Sequence, residues 1–133
     1  MEAAARFLPS GSPLDVLSLG EGQGRNAVHL ASTGHRCTGV DASEVGLRKA
    51  RRLAEERGVA HLVETVVADL QSYQPGAGRW DAVVSVFCAL EPAARARLHA
   101  ACVGGLRPGG VVIVECFVPS ASTRGAFTAA RPS

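Results

Sequence analysis

The chain has 133 residues, a length that corresponds to one domain and suffices for a hydrophobic core. Hydrophobic residues make up 47% of it, which excludes a disordered protein. The net charge of +2 does not by itself indicate a nucleic-acid partner, and no apolar run approaches the length of a membrane span.

The N-terminus and the cysteines both favour a cytoplasmic protein. The chain does not open with a basic region and a long apolar stretch, so we expect no targeting segment. No pair of cysteines has the spacing of a zinc site, so we expect free thiols in a reducing compartment and no bound metal. The cysteines are Cys37, Cys88, Cys102 and Cys116.

Apolar strands alternate with helices along the chain. The predicted strands cover residues 14–19, 36–40, 62–68, 81–87 and a fifth that begins with 111–114, and the predicted helices cover 24–32, 43–58 and 92–106. This alternation predicts βαβ units and a parallel sheet with helices on both faces. After Pro119 the chain is rich in Ser, Thr, Ala and Gly, and we expect an irregular tail over residues 118–133.

The turn after the first strand carries three alternating glycines, Gly20, Gly22 and Gly24, and leads directly into a helix. Glycine tolerates positive φ and lets a ligand approach the main chain closely. The N–H groups and the dipole at a helix start favour an anionic group. The loop therefore predicts a binding site for a small molecule with a negative end.

Acidic residues follow the next two predicted strands, and each has two interpretations. Asp41 lies about twenty residues after the glycine turn, where an acid can bind both hydroxyls of a ribose. Alternatively, Asp41 caps the following helix together with Ser43. Asp69 could accept a hydrogen bond from an adenine amino group, or it could be a solvated loop residue.

The glycine spacing argues against a dinucleotide cofactor. The dinucleotide fingerprint places a third glycine three residues after the second, at position 25 of this chain. That position is Arg25, whose bulk would crowd a pyrophosphate. An NAD-dependent oxidoreductase nevertheless remains an alternative interpretation, and it would bind NAD.

Five segments of the chain carry a resemblance to a known family: residues 19–27, 39–43, 68–70, 80–85 and 106–110. Together they resemble the class I S-adenosylmethionine-dependent methyltransferases, and among these the tellurite-resistance-like group of small methyltransferases. The most discriminating segment is the Leu-Arg-Pro-Gly-Gly turn before the fifth strand, because dehydrogenases lack it.

The resemblance implies a Rossmann-like open parallel sheet with strand order 3-2-1-4-5 and a single domain over residues 1–133. It implies S-adenosyl-L-methionine as cofactor. The glycine loop would then hold the methionine part, the Asp41 segment the ribose and the Asp69 segment the adenine. The implied cofactor-binding residues are Gly20, Glu21, Gly22, Gly24, Arg25, Asn26, Asp41, Ala42, Asp69, Leu70 and Phe87.

One departure from the family concerns the cofactor's ammonium group. The family usually has an acid two residues before the first glycine, and this chain has Ser18 there. Glu21 inside the loop could supply the missing charge, or it could point to solvent.

If Glu21 meets the ammonium, Glu21→Ala should weaken cofactor binding by about 1–3 kcal/mol, because a charge-assisted pair is lost. Calorimetry measures this change, and an unchanged affinity would contradict the role.

The other departure is length. A full class I domain has seven strands, and this chain is expected to lack the last two, which leaves strand five at the sheet edge. Exposed edges and apolar faces invite association, so we expect a homodimer, a partner chain or further sequence to cover that edge.

The sequence does not assign a catalytic residue or a methyl acceptor, although the acceptor is expected to be a small molecule. Glu91, Glu115 and Cys88 are the candidates for a general base near the strand ends. The missing C-terminal strands also leave open a second interpretation. The chain could be a non-catalytic cofactor-binding module or a truncated methyltransferase.

Overall fold

The structure is a computed structural model that describes residues 8–20, 24–86, 90–118 and 123–130. Its strands are β1 (Asp15–Leu19), β2 (Arg36–Asp41), β3 (Val63–Val67), β4 (Trp80–Val86), β5 (Leu106–Val118) and β6 (Thr123–Ala130). Its helices are α1 (Arg25–Ser32), α2 (Glu44–Glu56) and α3 (Pro92–Gly105), with a short 3-10 turn at Ala60–Leu62. The predicted strands and helices before residue 106 are all present, and most of their ends differ by one or two residues.

The strands form one sheet in the order β3-β2-β1-β4-β5-β6. The pairs from β3 through β5 are parallel, which confirms the predicted order 3-2-1-4-5 and the Rossmann-like class. The central strand β1 is apolar on both faces, and Val16, Leu17 and Leu19 are fully buried. Such strands need a cover on each side, and the helices supply it.

Two hydrophobic clusters lie on opposite faces of the sheet. On one face Val16 and Val84 pack against Leu30 of α1. On the other face Leu17 packs in a cluster that includes Leu98 of α3. Burying a side chain of this size contributes about 1.5–3 kcal/mol, so these clusters supply most of the stability of the sheet and the helices that cover it.

The tail beyond β5 is not irregular throughout. Residues 123–130 form β6, which pairs antiparallel with β5 from Val111↔Ala130 to Val118↔Thr123. The expectation of an irregular tail over 118–133 is therefore wrong for 118 and 123–130, because pairing with a long neighbouring strand outweighs weak β-propensity. The expectation that strand five lies at the sheet edge is therefore wrong, because β6 takes that place, and the expected homodimer or partner chain stays a prediction.

The Leu-Arg-Pro-Gly-Gly turn is built into the start of β5. Trp80 pairs with Leu106 and Ala82 pairs with Val111, so residues 107–110 bulge out of the ladder. Gly110 permits this bulge, because a Cβ there would lie 2.9 Å from the carbonyl oxygen of Arg107. The bulge directs Arg107 toward the amino ends of the strands.

An ion-pair network joins the amino ends of four strands. The Asp15 carboxylate accepts hydrogen bonds from Arg36 Nε at 2.7 Å and from Arg107 at 2.7 Å. Arg107 also pairs with Asp81 at 3.0 Å, and Asp81 accepts the Asp15 backbone N–H at 2.8 Å. The hydrogen bond from Arg36 is the main cause that lowers the pKa of Asp15 to about 2.

We predict that Asp15→Asn lowers the free energy of unfolding by about 1–2 kcal/mol at neutral pH. This loss is smaller than the lowered pKa alone would imply, because the two arginines are half exposed and solvent screens their charges. A carboxylate with a lowered pKa stabilises the fold above its ordinary pKa of 3.8, and this stabilisation is lost as the pH falls toward about 2. The difference from wild type in urea denaturation should therefore shrink over that window. Glu55→Gln removes an exposed acid outside the network and should leave stability unchanged, and equal effects of the two changes would contradict the prediction.

Candidate functional site

The loops that follow β1, β2 and β3 all leave the same edge of the sheet. The Gly20 N–H donates to the Val40 carbonyl at 2.9 Å, and the Ala68 N–H donates to the Asp41 carbonyl at 3.0 Å. Each strand end is thereby tied to its neighbour, as the carboxyl ends of parallel strands must be. The predicted site residues that follow these strands are brought to one edge.

The N-cap residue of α1 is a glycine, which cannot cap the helix with a side chain. Gly24 is the N-cap residue, it has no side chain to accept a hydrogen bond, and the first turn of α1 contains no acid. By contrast, α2 is capped by the Ser43 hydroxyl, which accepts the Gly46 N–H at 3.1 Å. The first N–H groups of a helix have no acceptor within it, so those of Arg25 and Asn26 suit an anion such as a carboxylate.

Glu21 and Gly22 lie outside the described residues, as do Phe87 and Cys88. Their predicted roles therefore stay predictions. The side chain of Glu115 is likewise not described. Glu91 is the exposed N-cap residue of α3 and its side chain makes no capping hydrogen bond.

Gly24 has a packing role that the sequence did not indicate. Its φ is +88°, and a Cβ there would lie 2.4 Å from the Cβ of Ala50. The third glycine of the loop therefore lets α1 and α2 pack closely. The sequence contains small residues at both positions, but it indicates a contact between them only once the positions of α1 and α2 in the fold are known.

The structure shows how Asp41 and Ser43 share the turn before α2, and the ribose-binding role of Asp41 stays a prediction. Ser43 is the cap of α2, while Asp41 Oδ1 accepts the Ser43 N–H at 2.9 Å. Asp41 is half-buried at the end of β2, and Ala42 beside it is exposed. The carboxylate is thus held in a fixed turn at the edge where a ribose would lie.

The Asp69 segment forms a turn after β3. Asp69 is exposed, and its Oδ1 accepts the Gln71 N–H at 2.9 Å while its carbonyl accepts the Ser72 N–H at 3.1 Å. Leu70 is half-buried and packs against the hydrophobic cluster on the α3 face. One side of the turn is therefore anchored in the core and the other is open.

Ser18 is fully buried in β1, and its hydroxyl has no hydrogen-bond partner within the described ranges. A buried polar atom without a partner is uncommon and carries a cost of about 1–3 kcal/mol. It lies two residues before Gly20, near the carboxyl end of β1. At the same edge of the sheet, the N-terminus of α1 supplies N–H donors and Asp41 and Asp69 supply carboxylate acceptors.

The remaining chemistry of the described residues is sparse. His99 on α3 has a buried Nε2 without a partner in that part of the chain, and burial lowers its pKa. Among residues 8–20, 24–86, 90–118 and 123–130, no three His, Cys, Asp or Glu side chains come together as a metal site. Within the same ranges, no helix is both long enough and apolar enough to cross a bilayer.

Comparison with known proteins identifies the family. The family described as "Methyltransferase domain" matches residues 16–110, which span the sheet from β1 to the turn of β5. The chain belongs to this methyltransferase family. Its membership confirms the class I S-adenosylmethionine-dependent resemblance, and S-adenosylmethionine is the cofactor of these proteins. The tellurite-resistance-like subgroup stays a prediction.

Individual relatives of this methyltransferase domain include two methyltransferases and a cyclase. A 2-heptyl-1-hydroxyquinolin-4(1H)-one methyltransferase of Mycobacteroides abscessus is 30% identical over 77% of this chain and 46% of its own length. A methyltransferase from Geobacter sulfurreducens in complex with S-adenosyl-L-homocysteine is 29% identical, with a TM-score of 0.69 over 86% of this chain and 45% of that one. The [4+2]-cyclase SpnF is 26% identical, with a TM-score of 0.77 over 86% of this chain and 42% of that one. The chain thus spans less than half the length of each of these relatives.

The packing of Gly24 gives a testable prediction about the methyltransferase domain. Gly24→Ala should destabilise the fold by about 1–3 kcal/mol, because the new Cβ is overpacked against Ala50 at a positive φ. Gly58→Ala is the matched control, because Gly58 also has a positive φ, +72°, but a Cβ there would have no neighbour within 4 Å. Urea denaturation measures both variants, and equal losses would contradict the proposed contact between position 24 and Ala50.

Proposed function

We propose that the chain is an S-adenosylmethionine-dependent methyltransferase that acts on a small-molecule acceptor in the cytoplasm. The observation that carries the proposal is the convergence, at one sheet edge, of the N-terminus of α1 with the turns of Asp41 and Asp69. These are the three groups that a methionine carboxylate, a ribose and an adenine require in that order. The family match over residues 16–110 supports the same cofactor.

Each part of the site has a defined task in this proposal. The N–H groups of Arg25 and Asn26 bind the carboxylate, and Asp41 accepts hydrogen bonds from the ribose hydroxyls. Asp69 and Leu70 flank the adenine, with Leu70 presenting an apolar surface that is fixed by the core. Gly20 and Gly22 allow the close approach of the ligand to the main chain.

When bound, S-adenosylmethionine supplies a methyl group on a sulfonium, and its displacement chiefly requires alignment with the acceptor. The residues of this chain therefore bind and orient the reactants, and a strong base is not required by every acceptor. An acceptor that must lose a proton needs a general base, and Glu91 is the candidate for it among the described side chains. The quinolone acted on by the Mycobacteroides relative supports a small acceptor for this chain also.

We predict that the wild-type chain binds S-adenosylhomocysteine and that Asp41→Asn raises the dissociation constant about tenfold. Asparagine keeps the oxygen that accepts the Ser43 N–H, so the turn is retained while the charge that holds the ribose is lost. Isothermal calorimetry measures the change. Glu44→Gln removes an exposed acid three residues later and is the matched control.

The rival functions are separated by two further measurements. Binding of NAD without S-adenosylhomocysteine would replace the proposal with an oxidoreductase. Binding of S-adenosylhomocysteine without turnover of S-adenosylmethionine on any of a panel of small hydroxylated and aminated aromatic acceptors would leave a binding module. Release of S-adenosylhomocysteine in step with acceptor methylation is the expected result.

A further inference from the structure

The connection from β3 to β4 is long and contains neither a helix nor a strand. It runs over residues 68–79, next to the edge where the cofactor is proposed to bind. A connection of this length needs tertiary anchors if it is to present a fixed surface to a ligand. The structure provides such anchors at three points.

Two of the anchors hold the connection to the core. Leu70 and Tyr73 pack against the hydrophobic cluster on the α3 face. The Trp80 indole N–H donates to the carbonyl oxygen of Pro75 at 2.8 Å. These contacts fix the middle and the end of the connection, and Asp69 accepts the N–H groups of Gln71 and Ser72 within the turn, but none of these hydrogen bonds ties the turn to α3.

The third anchor is Arg97 on α3. One guanidinium nitrogen, Nη2, donates to the carbonyl oxygen of Leu70 at 3.3 Å and also to that of Gln71. Two consecutive carbonyls of the turn therefore face the same cation. A charged donor forms a stronger hydrogen bond than a neutral one, and the contact sets the orientation of both peptide planes.

From this contact we infer that Arg97 is a positioning residue for the adenine end of the cofactor. It holds the Asp69–Ser72 turn against α3, so that Asp69 and Leu70 present a preformed surface to the base. Without Arg97 the turn would keep its internal hydrogen bonds but lose its backbone contact with α3, and fixing its position at the moment of binding would weaken affinity. The inference rests on the proposed function, since it assigns the adenine to this turn.

The test compares Arg97→Ala with Arg95→Ala, which removes the same charge from an exposed position on the same helix. We expect Arg97→Ala to raise the dissociation constant for S-adenosylhomocysteine about tenfold, the effect of about one charged hydrogen bond. Adenosine alone should lose affinity by the same factor, because the effect is confined to the adenine end. Arg97→Lys should restore part of the loss, since lysine keeps the charge but lacks the planar donor group. Arg95→Ala should bind as wild type does.

Each outcome separates the two proposals. If the wild-type chain binds S-adenosylhomocysteine and Arg97→Ala binds it equally well, the positioning role is overturned while the proposed function stands. If Arg97→Ala lowers the midpoint of thermal unfolding without ligand and leaves adenosine affinity unchanged, Arg97 is only a structural residue. If the wild-type chain does not bind S-adenosylhomocysteine or adenosine, the proposed function fails and this inference fails with it.

Discussion

The rest of the fold depends on the register of the sheet, which the apolar residues buried on both faces set and which the ion-pair network around Asp15 matches at one edge. Asp15, Arg36, Asp81 and Arg107 come from β1, β2, β4 and β5, and they meet at the amino edge. A slip of one residue in any of these strands would turn its side chains to the opposite face. Fixing the amino ends therefore also fixes where each strand ends at the opposite edge. The polar residues of the candidate site depend on that position, although none of them touches the network.

The two edges of the sheet consequently differ in how their polar groups are satisfied. At the amino edge, carboxylates and guanidinium groups are paired with one another. At the carboxyl edge, α1 begins at a glycine that has no capping side chain, and Ser18 keeps an unpaired hydroxyl among the described residues. A protein selected for stability alone would have no buried hydroxyl without a partner. This hydroxyl lies toward the edge where ligands bind in open α/β sheets.

The sequence predicted the parallel sheet well because its strands are continuous apolar runs and its turns carry glycine or proline. It failed at β6, where Thr123–Ala130 has no apolar pattern and becomes a strand only through its pairing with β5. Motif spacing placed Asp41 and Asp69 at the correct edge. It could not assign Gly24 its contact with Ala50, nor Arg97 its contact with Leu70, since both join segments that are about 26 residues apart. Such contacts depend on how helices pack, which a local pattern does not contain.

Ser18 shows how stability and binding are balanced in this chain. A carboxylate at a position that is fully buried would carry a large desolvation cost unless a cation or several N–H groups met it. In the family the cofactor's ammonium helps to meet that acid, so a protein with the acid is strained until the cofactor binds. The hydroxyl of Ser18 avoids most of this cost, because it is neutral. The sequence-based hypothesis for Glu21 assigns that contact to the glycine loop, and its charge would then lie outside the buried strand.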